Sequence, residues 1–405
     1  MHDDASSPSA DASPAAGPTA GPGRTVTRLA ILDDFQDAAL SSADFAPLRE
    51  RGVELTVFTH SLGTDPGAIA EALEPFDAVI AMRERTPFSA ETLGLLPRLQ
   101  LIVNTGRGVP HIDLEAARAR GVAVYTTGGS AAGAPELTWA LMLAALRHLP
   151  TELTNGAEGR WQTTVGREAA GLTLGVVGLG RIGSRMAAYG NAFGMNVLAW
   201  SPRLDAERAR AAGAGFAPSL LELAERSDVL SVNLTLVPET QGLIDAAVLR
   251  ALGPRGLLVN TARGPLVDER ALVAALNSGE LGAAALDVYD SEPLPADHPL
   301  RSASNALLTP HIGFVTEQSL AAFYGQAVDR VLRLPSPAPP GTRPSTRRRA
   351  PLAHGRASRQ GNPQAAVPAA ATAGTRRGAW GQRPRRRSGS WRRAARRSAE
   401  WPSTI

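Results

Sequence analysis

Three short segments hold residues that together can move a hydride and a proton. Gly178-Leu179-Gly180-Arg181-Ile182-Gly183 follows an apolar run and opens a helical one, the context in which three glycines make a dinucleotide-binding turn. Gly178 permits the tight turn, Gly180 lets backbone approach a pyrophosphate, and Gly183 lets the helix lie close on the strand. The helix N-terminus then faces the phosphate charge, with Arg181 and Ile182 at its start. Asn260-Thr261-Ala262-Arg263-Gly264 places an arginine between a strand and a helix, and its planar fork can hold a carboxylate and polarise a keto oxygen. Glu292-Pro293, followed by Thr309-Pro310-His311, adds a carboxylate and an imidazole. A glutamate bonded to that histidine fixes its tautomer and favours its protonated form, which makes a proton donor near neutral pH. The set implies hydride transfer between a nicotinamide cofactor and a 2-keto or 2-hydroxy acid.

Strands that bind the adenosine ribose usually end in an acid about 20 residues after the first glycine. Ser201 stands 23 residues after Gly178, in Trp200-Ser201-Pro202-Arg203. Serine does not repel a 2′-phosphate and Arg203 could pair with one. The cofactor is therefore read as NAD or NADP with a slight lean to NADP, against which Asp205 weighs.

Composition removes whole classes of chemistry. The 405 residues contain no cysteine, which rules out disulfides, thiolate zinc sites and cysteine nucleophiles. All 42 basic residues are arginine, so lysine Schiff bases and Walker-type lysines are excluded as well. No metal site is read. No run of about 18 apolar residues exists to span a membrane, and the start of the chain has neither a basic stretch nor an apolar one as a secretory signal requires. A cytoplasmic location is expected.

The net charge of +4 hides an uneven distribution. Residues 335–405 carry 16 arginines and one acid, leaving 26 basic against 37 acidic residues in the rest. That Arg/Pro-rich tail lacks an apolar face and reads as disordered. It is taken as a solvated extension rather than a nucleic-acid-binding arm in which Trp380 and Trp391 would stack on bases. Residues 1–25 read as a disordered leader.

Between these ends, short apolar strands alternate with helices, the pattern of a parallel sheet covered on both faces. Strands are expected at 29–32, 53–58, 78–82, 99–103 and 122–125, then at 172–177, 196–200, 229–232, 256–259, 283–286 and 306–308. A long apolar helix is expected over 136–149, with others at 114–120, 182–193, 220–225 and 269–276. The fold class is α/β, two Rossmann-like doubly wound parallel-sheet domains with a cleft between them.

On these residues the chain resembles the D-isomer-specific 2-hydroxy acid dehydrogenases from about 29 to 331. The resemblance rests on the glycine turn, Val259-Asn260-Thr261-Ala262-Arg263-Gly264, Leu286-Asp287-Val288-Tyr289 leading to Glu292-Pro293-Leu294-Pro295, and Thr309-Pro310-His311-Ile312-Gly313. Ile31-Leu32-Asp33-Asp34-Phe35, Arg83-Glu84-Arg85-Thr86-Pro87 and Ala199-Trp200-Ser201 mark a branch within that family. The resemblance implies that Arg263 binds and polarises the substrate, His311 is the acid/base and Glu292 orients it. It further implies that Thr261 and Asp287 lie against the cofactor, with Asp287 holding the nicotinamide carboxamide, and that the loop around Arg107 and Gly108 offers backbone N–H groups to the substrate carboxylate. The implied domains are a substrate domain over 26–125, a nucleotide domain over 126–311 and a return helix over 312–334 to the substrate domain. A homodimer is implied too. The return helix runs into Pro/Arg-rich sequence, which suggests a less stable first lobe, and Asn233 stands where relatives often place histidine. The rival reading is an NAD(H)-sensing, co-repressor-like binding protein on the same fold.

Overall fold

The computed structural model describes residues 25–334; the expected leader (but for its last residue) and the Arg/Pro-rich tail lie outside the described residues. The first sheet comprises β1 (Arg28–Ile31), β2 (Glu54–Val57), β3 (Ala78–Ala81), β4 (Leu101–Asn104) and β5 (Ala123–Thr126). They lie in the order β2-β1-β3-β4-β5, every pair parallel. The second comprises β6 (Thr173–Val177), β7 (Asn196–Trp200), β8 (Gly215–Phe216), β9 (Val229–Val232), β10 (Leu257–Asn260), β11 (Ala283–Leu286) and β12 (Ala306–Leu308). Its order is β12-β11-β10-β9-β6-β7-β8, again all parallel. β3, β4, β9 and β10 are buried at every residue, which is why they read as continuous apolar runs and not as alternating ones.

The same device starts both sheets. Asp77, just before β3, accepts from the Thr27 hydroxyl (2.6 Å) and from the backbone N–H groups of Thr27 and Arg28 (2.8 and 3.0 Å) at the head of β1, and pairs with Arg98. Asp228, just before β9, accepts from the Thr173 N–H at the head of β6 (2.9 Å) and pairs with Arg167. Each carboxylate satisfies donors that the first central strand would otherwise leave unpaired.

The long helix expected over 136–149 is instead two. Gly133–Leu146 packs on the second sheet, and a separate helix, Leu149–Ala157, follows a left-handed turn at His148 (φ 49°). Pro150 is the reason: without an N–H, and with a ring that would crowd the Leu146 carbonyl, it is tolerated only in a helix's first turn. The Glu317–Leu332 helix runs 16 residues, is capped by the Thr316 side chain, and buries Leu320, Phe323, Tyr324, Ala327, Val328 and Val331 in the core of the first sheet. The Pro/Arg-rich sequence begins only after this helix ends. No helix among the described residues is long and apolar enough to cross a membrane.

Candidate active site

The glycine turn sits where β6 ends and the Arg181–Ala192 helix begins, at the switch point between β6 and β9 from which the chain winds to opposite sides. Gly178 has φ 92°, and a Cβ there would press on Leu234 and on the Asn233 carbonyl. A Cβ on Gly183 would collide with the Gly178 carbonyl oxygen, so helix and strand approach as closely as only glycine allows. Gly180 differs: a Cβ there would meet nothing within 4 Å. The open space lies at a helix N-terminus, and a pyrophosphate fits it. Arg181 is exposed at the helix start and Ile182 is half-buried against the second core. Asn233 turns its amide N–H to Ser231, with 3.1 Å to the hydroxyl.

At the end of β7, Ser201 is half-buried and Arg203 exposed. Asp205, the acid that weighed against NADP, accepts from the Arg208 N–H and caps the next helix.

Arg263 stands at the carboxyl end of β10 on a turn fixed by Asn260. The Asn260 amide donates to the Arg263 carbonyl (2.9 Å) and its oxygen accepts from the Ala262 N–H (3.0 Å). Thr261 bonds the Thr138 hydroxyl at 2.6 Å, tying the turn to the Gly133–Leu146 helix. A Cβ on Gly264 would overlap the Tyr289 backbone, so glycine is what brings this turn onto the segment that follows β11. There the Tyr289 N–H donates to Glu292 Oε1 (3.1 Å), and Glu292 Oε2 meets His311 Nδ1 at 2.6 Å. The turn that carries Arg263 thus packs on the segment whose Glu292 holds His311, while the Arg263 side chain itself pairs with Glu84 and the Ala262 carbonyl. Burial pushes the Glu292 carboxyl up, but the His311 hydrogen bond and charge, the Tyr289 N–H and Arg85 outweigh it and leave it below the ordinary glutamate value. A carboxylate that stays ionised holds Nδ1 as a donor and leaves Nε2 for proton transfer.

His311 itself adopts φ 53°, a conformation uncommon outside glycine and asparagine. Asp287 explains how it is held. Its carboxylate accepts from the Thr309 hydroxyl (2.7 Å), the Ile312 N–H (2.8 Å) and the Gly313 N–H (2.8 Å), bracketing the histidine. Asp287 is 0% exposed, and these three donors hold its carboxylate inside the His311 loop. Its task here is to shape the His311 loop. Burial raises its carboxyl despite those three donors.

Arg107 and Gly108 are exposed on the loop after β4. The loop is fastened by Asn104, whose amide donates to the Gly108 carbonyl (2.8 Å), and by the Gly106 N–H, which donates to the Thr127 hydroxyl (3.1 Å). A cavity of about 410 Å3 opens between the lobes, lined by Asp33, Phe35 and Arg85 on one side and Glu292, Pro310 and His311 on the other. Sequence reasoning missed Glu84. It follows β3 on the first lobe, yet it takes Arg263 Nε (3.0 Å) and Nη2 (2.7 Å) in a two-point ion pair across the cleft. The signal available was an acid between two arginines directly after an apolar strand.

Residues 139–313 match a family model described as D-isomer specific 2-hydroxyacid dehydrogenase, NAD binding domain. D-3-phosphoglycerate dehydrogenase of Methanocaldococcus jannaschii is 36% identical over 261 residues, which is 63% of this chain and 50% of that protein. Glyoxylate reductase of Aeropyrum pernix is 39% identical over 239 residues, 56% of this chain and 71% of that protein. The solved structure of phosphoglycerate oxidoreductase from Vibrio cholerae O395 superposes with a TM-score of 0.71 at 38% identity, covering 76% of this chain and 98% of that one. The chain spans about half the length of the curated D-3-phosphoglycerate dehydrogenases it matches.

Proposed function

This chain belongs to the D-isomer-specific 2-hydroxyacid dehydrogenase family, and on that premise we propose that it transfers a hydride between NAD(P)(H) and C2 of a 2-keto or 2-hydroxy acid. The observation that carries the reading is the Glu292–His311 pair at 2.6 Å, joined through Tyr289 to the Arg263 turn. A nicotinamide dinucleotide bound along the glycine turn supplies or accepts the hydride. In the reducing direction the Arg263 guanidinium draws electron density toward the keto oxygen. His311 gives that oxygen its proton, and Glu292 stabilises the imidazolium before the transfer. In the oxidising direction the same imidazole takes the hydroxyl proton. The turn formed by Gly178, Gly180 and Gly183 receives the pyrophosphate at Gly180, Thr261 lies at the nicotinamide end, and the loop at Arg107 and Gly108 takes the substrate carboxylate.

The finer assignments belong to the same proposal. An exposed Arg203 beside Ser201, with Asp205 engaged as a helix cap, supports the lean toward NADP. Residues 26–125 with 312–334 make the substrate domain and 126–311 the nucleotide domain. Leu153, Trp161 and Val165 on the second lobe are 72%, 84% and 92% exposed, apolar side chains that a second copy of this chain would cover, and sedimentation velocity tests that dimer.

The deciding experiment follows NADH and NADPH oxidation with glyoxylate, hydroxypyruvate and bulkier 2-keto acids. Turnover with at least one acid is expected. Tight cofactor binding with no turnover on any of them would favour the sensing, co-repressor-like protein instead.

A further inference from the structure

We infer that Glu84 is the positioning residue of Arg263, an assignment that rests on the dehydrogenase reading and goes beyond it. A guanidinium has five N–H donors. Nε and one N–H of Nη2 go to Glu84, and one N–H of Nη1 goes to the Ala262 carbonyl at 2.6 Å. All three nitrogens are therefore anchored, the plane is fixed, and two N–H groups remain, one on each Nη, to meet substrate. An arginine on a turn has many rotamers, and fixing one of them before substrate arrives is what a preorganised site requires.

The backbone is arranged to deliver Glu84 to that place. Arg83 just before it has φ 54°, a left-handed conformation that a long side chain adopts only when its surroundings impose it. The Arg83 N–H is held by the Thr105 hydroxyl at 3.0 Å, and the guanidinium lies over the Phe314 ring at 4.9 Å. Gly108 on the neighbouring loop leaves room for the carboxylate, since a Cβ there would stand 3.2 Å from Glu84 Oε1. Glu84 therefore reaches across from the first lobe, beside the loop assigned to the substrate carboxylate, and takes the side-on edge of the arginine. That edge is the one a substrate carboxylate would otherwise claim with two parallel bonds. With it closed, the two remaining donors serve the keto oxygen, and the carboxylate is left to the loop at 106–109.

The test compares wild type with Glu84→Ala and Glu84→Gln, measuring kcat, KM and cofactor affinity for each, and then adds acetate or propionate to Glu84→Ala. The expected result is a kcat loss of about 10- to 100-fold in both variants, the size produced by small misplacement of a catalytic group, with cofactor affinity unchanged. The free carboxylate should restore part of the Glu84→Ala loss in a saturable way, while leaving wild type unaffected. A merely structural role would not respond to acetate. Unchanged kcat in both variants, a raised kcat/KM (which would make Glu84 a competitor of substrate), or an Ala variant indifferent to carboxylate would each overturn the assignment. A wild-type protein inert toward every keto acid would contradict the dehydrogenase reading and this assignment together. Turnover by wild type with equal turnover by both variants would remove this assignment alone.

Discussion

The two lobes share one winding and part at the turn after its first strand. β2-β1-β3-β4-β5 in the first lobe and β7-β6-β9-β10-β11 in the second follow the same path, and in each an aspartate before the third strand ties down the first. At the carboxyl end of that first strand they part. After β6 the chain passes through Gly178 and Gly180 into a 12-residue helix with open space before its N-terminus. After β1 it passes through Asp33 and Asp34, both 1% exposed. Asp34 there accepts from the Ala38 and Ala39 N–H groups (3.1 and 2.8 Å), so the donors that a phosphate would need are already taken by a carboxylate. Asp33 accepts from the Thr86 hydroxyl at 2.8 Å, and burial raises its carboxyl. Winding supplies a platform in both lobes; residue chemistry at the first turn decides which one accepts an anion.

That contrast can be broken in order of expected effect. His311→Asn, in the lobe with the open turn, should lower kcat by roughly two to four decades, the usual range for losing a general acid, with cofactor affinity little changed; steady-state rates beside a fluorescence titration of the reduced cofactor check both. Next come the two glycines that differ in what surrounds them. Gly180→Ala should weaken cofactor binding by about tenfold or more while leaving the thermal midpoint near wild type, because the added methyl meets only the space a pyrophosphate would fill. Gly183→Ala should instead destabilise the fold by about 1–3 kcal/mol, as overpacking does, since its methyl meets backbone. Equal effects of the two substitutions on binding and stability would undo the distinction. Smallest are Asp77→Asn and Asp228→Asn, each expected to remove about 1–2 kcal/mol of stability from its own lobe, read by thermal unfolding.

The Asp77 case has a pH signature. Burial opposes ionisation there, but the Thr27 hydroxyl, the Thr27 and Arg28 N–H groups and Arg98 together hold the carboxyl below its ordinary value. A lowered native value contributes stability that is present above the unfolded value near 3.8 and is lost as pH falls through the folded value. Wild type should therefore lose more stability than Asp77→Asn on acidification below about pH 4, as monitored by circular dichroism.

Most of the scaffold was legible because its strands are short, apolar and separated by helices, a signal that needs no tertiary context. β7, β9, β11 and β12 begin and end where the apolar runs do. The failures have particular causes. β8 has two residues, too few to show a period, and the break at His148 depended on weighing Pro150 above an unbroken apolar stretch. In the site, Arg263, Glu292 and His311 were legible as residue types in sequence order. Glu84 was not, because its partner lies 179 residues away and no local pattern announces an ion pair across a cleft. Asp287 was legible as a polar residue ending a strand, but the three donors that define its task come from residues 309–313 and exist only once the loop folds back.

The most direct measurement follows the hydride itself. Reduced cofactor carrying two deuterium atoms at C4 of the nicotinamide, incubated with a 2-keto acid that the protein consumes, should yield a D-2-hydroxy acid with one deuterium at C2. Bound cofactor whose deuterium never appears in product, or product of the opposite configuration, would contradict the assignment of this cleft to D-2-hydroxy acid chemistry.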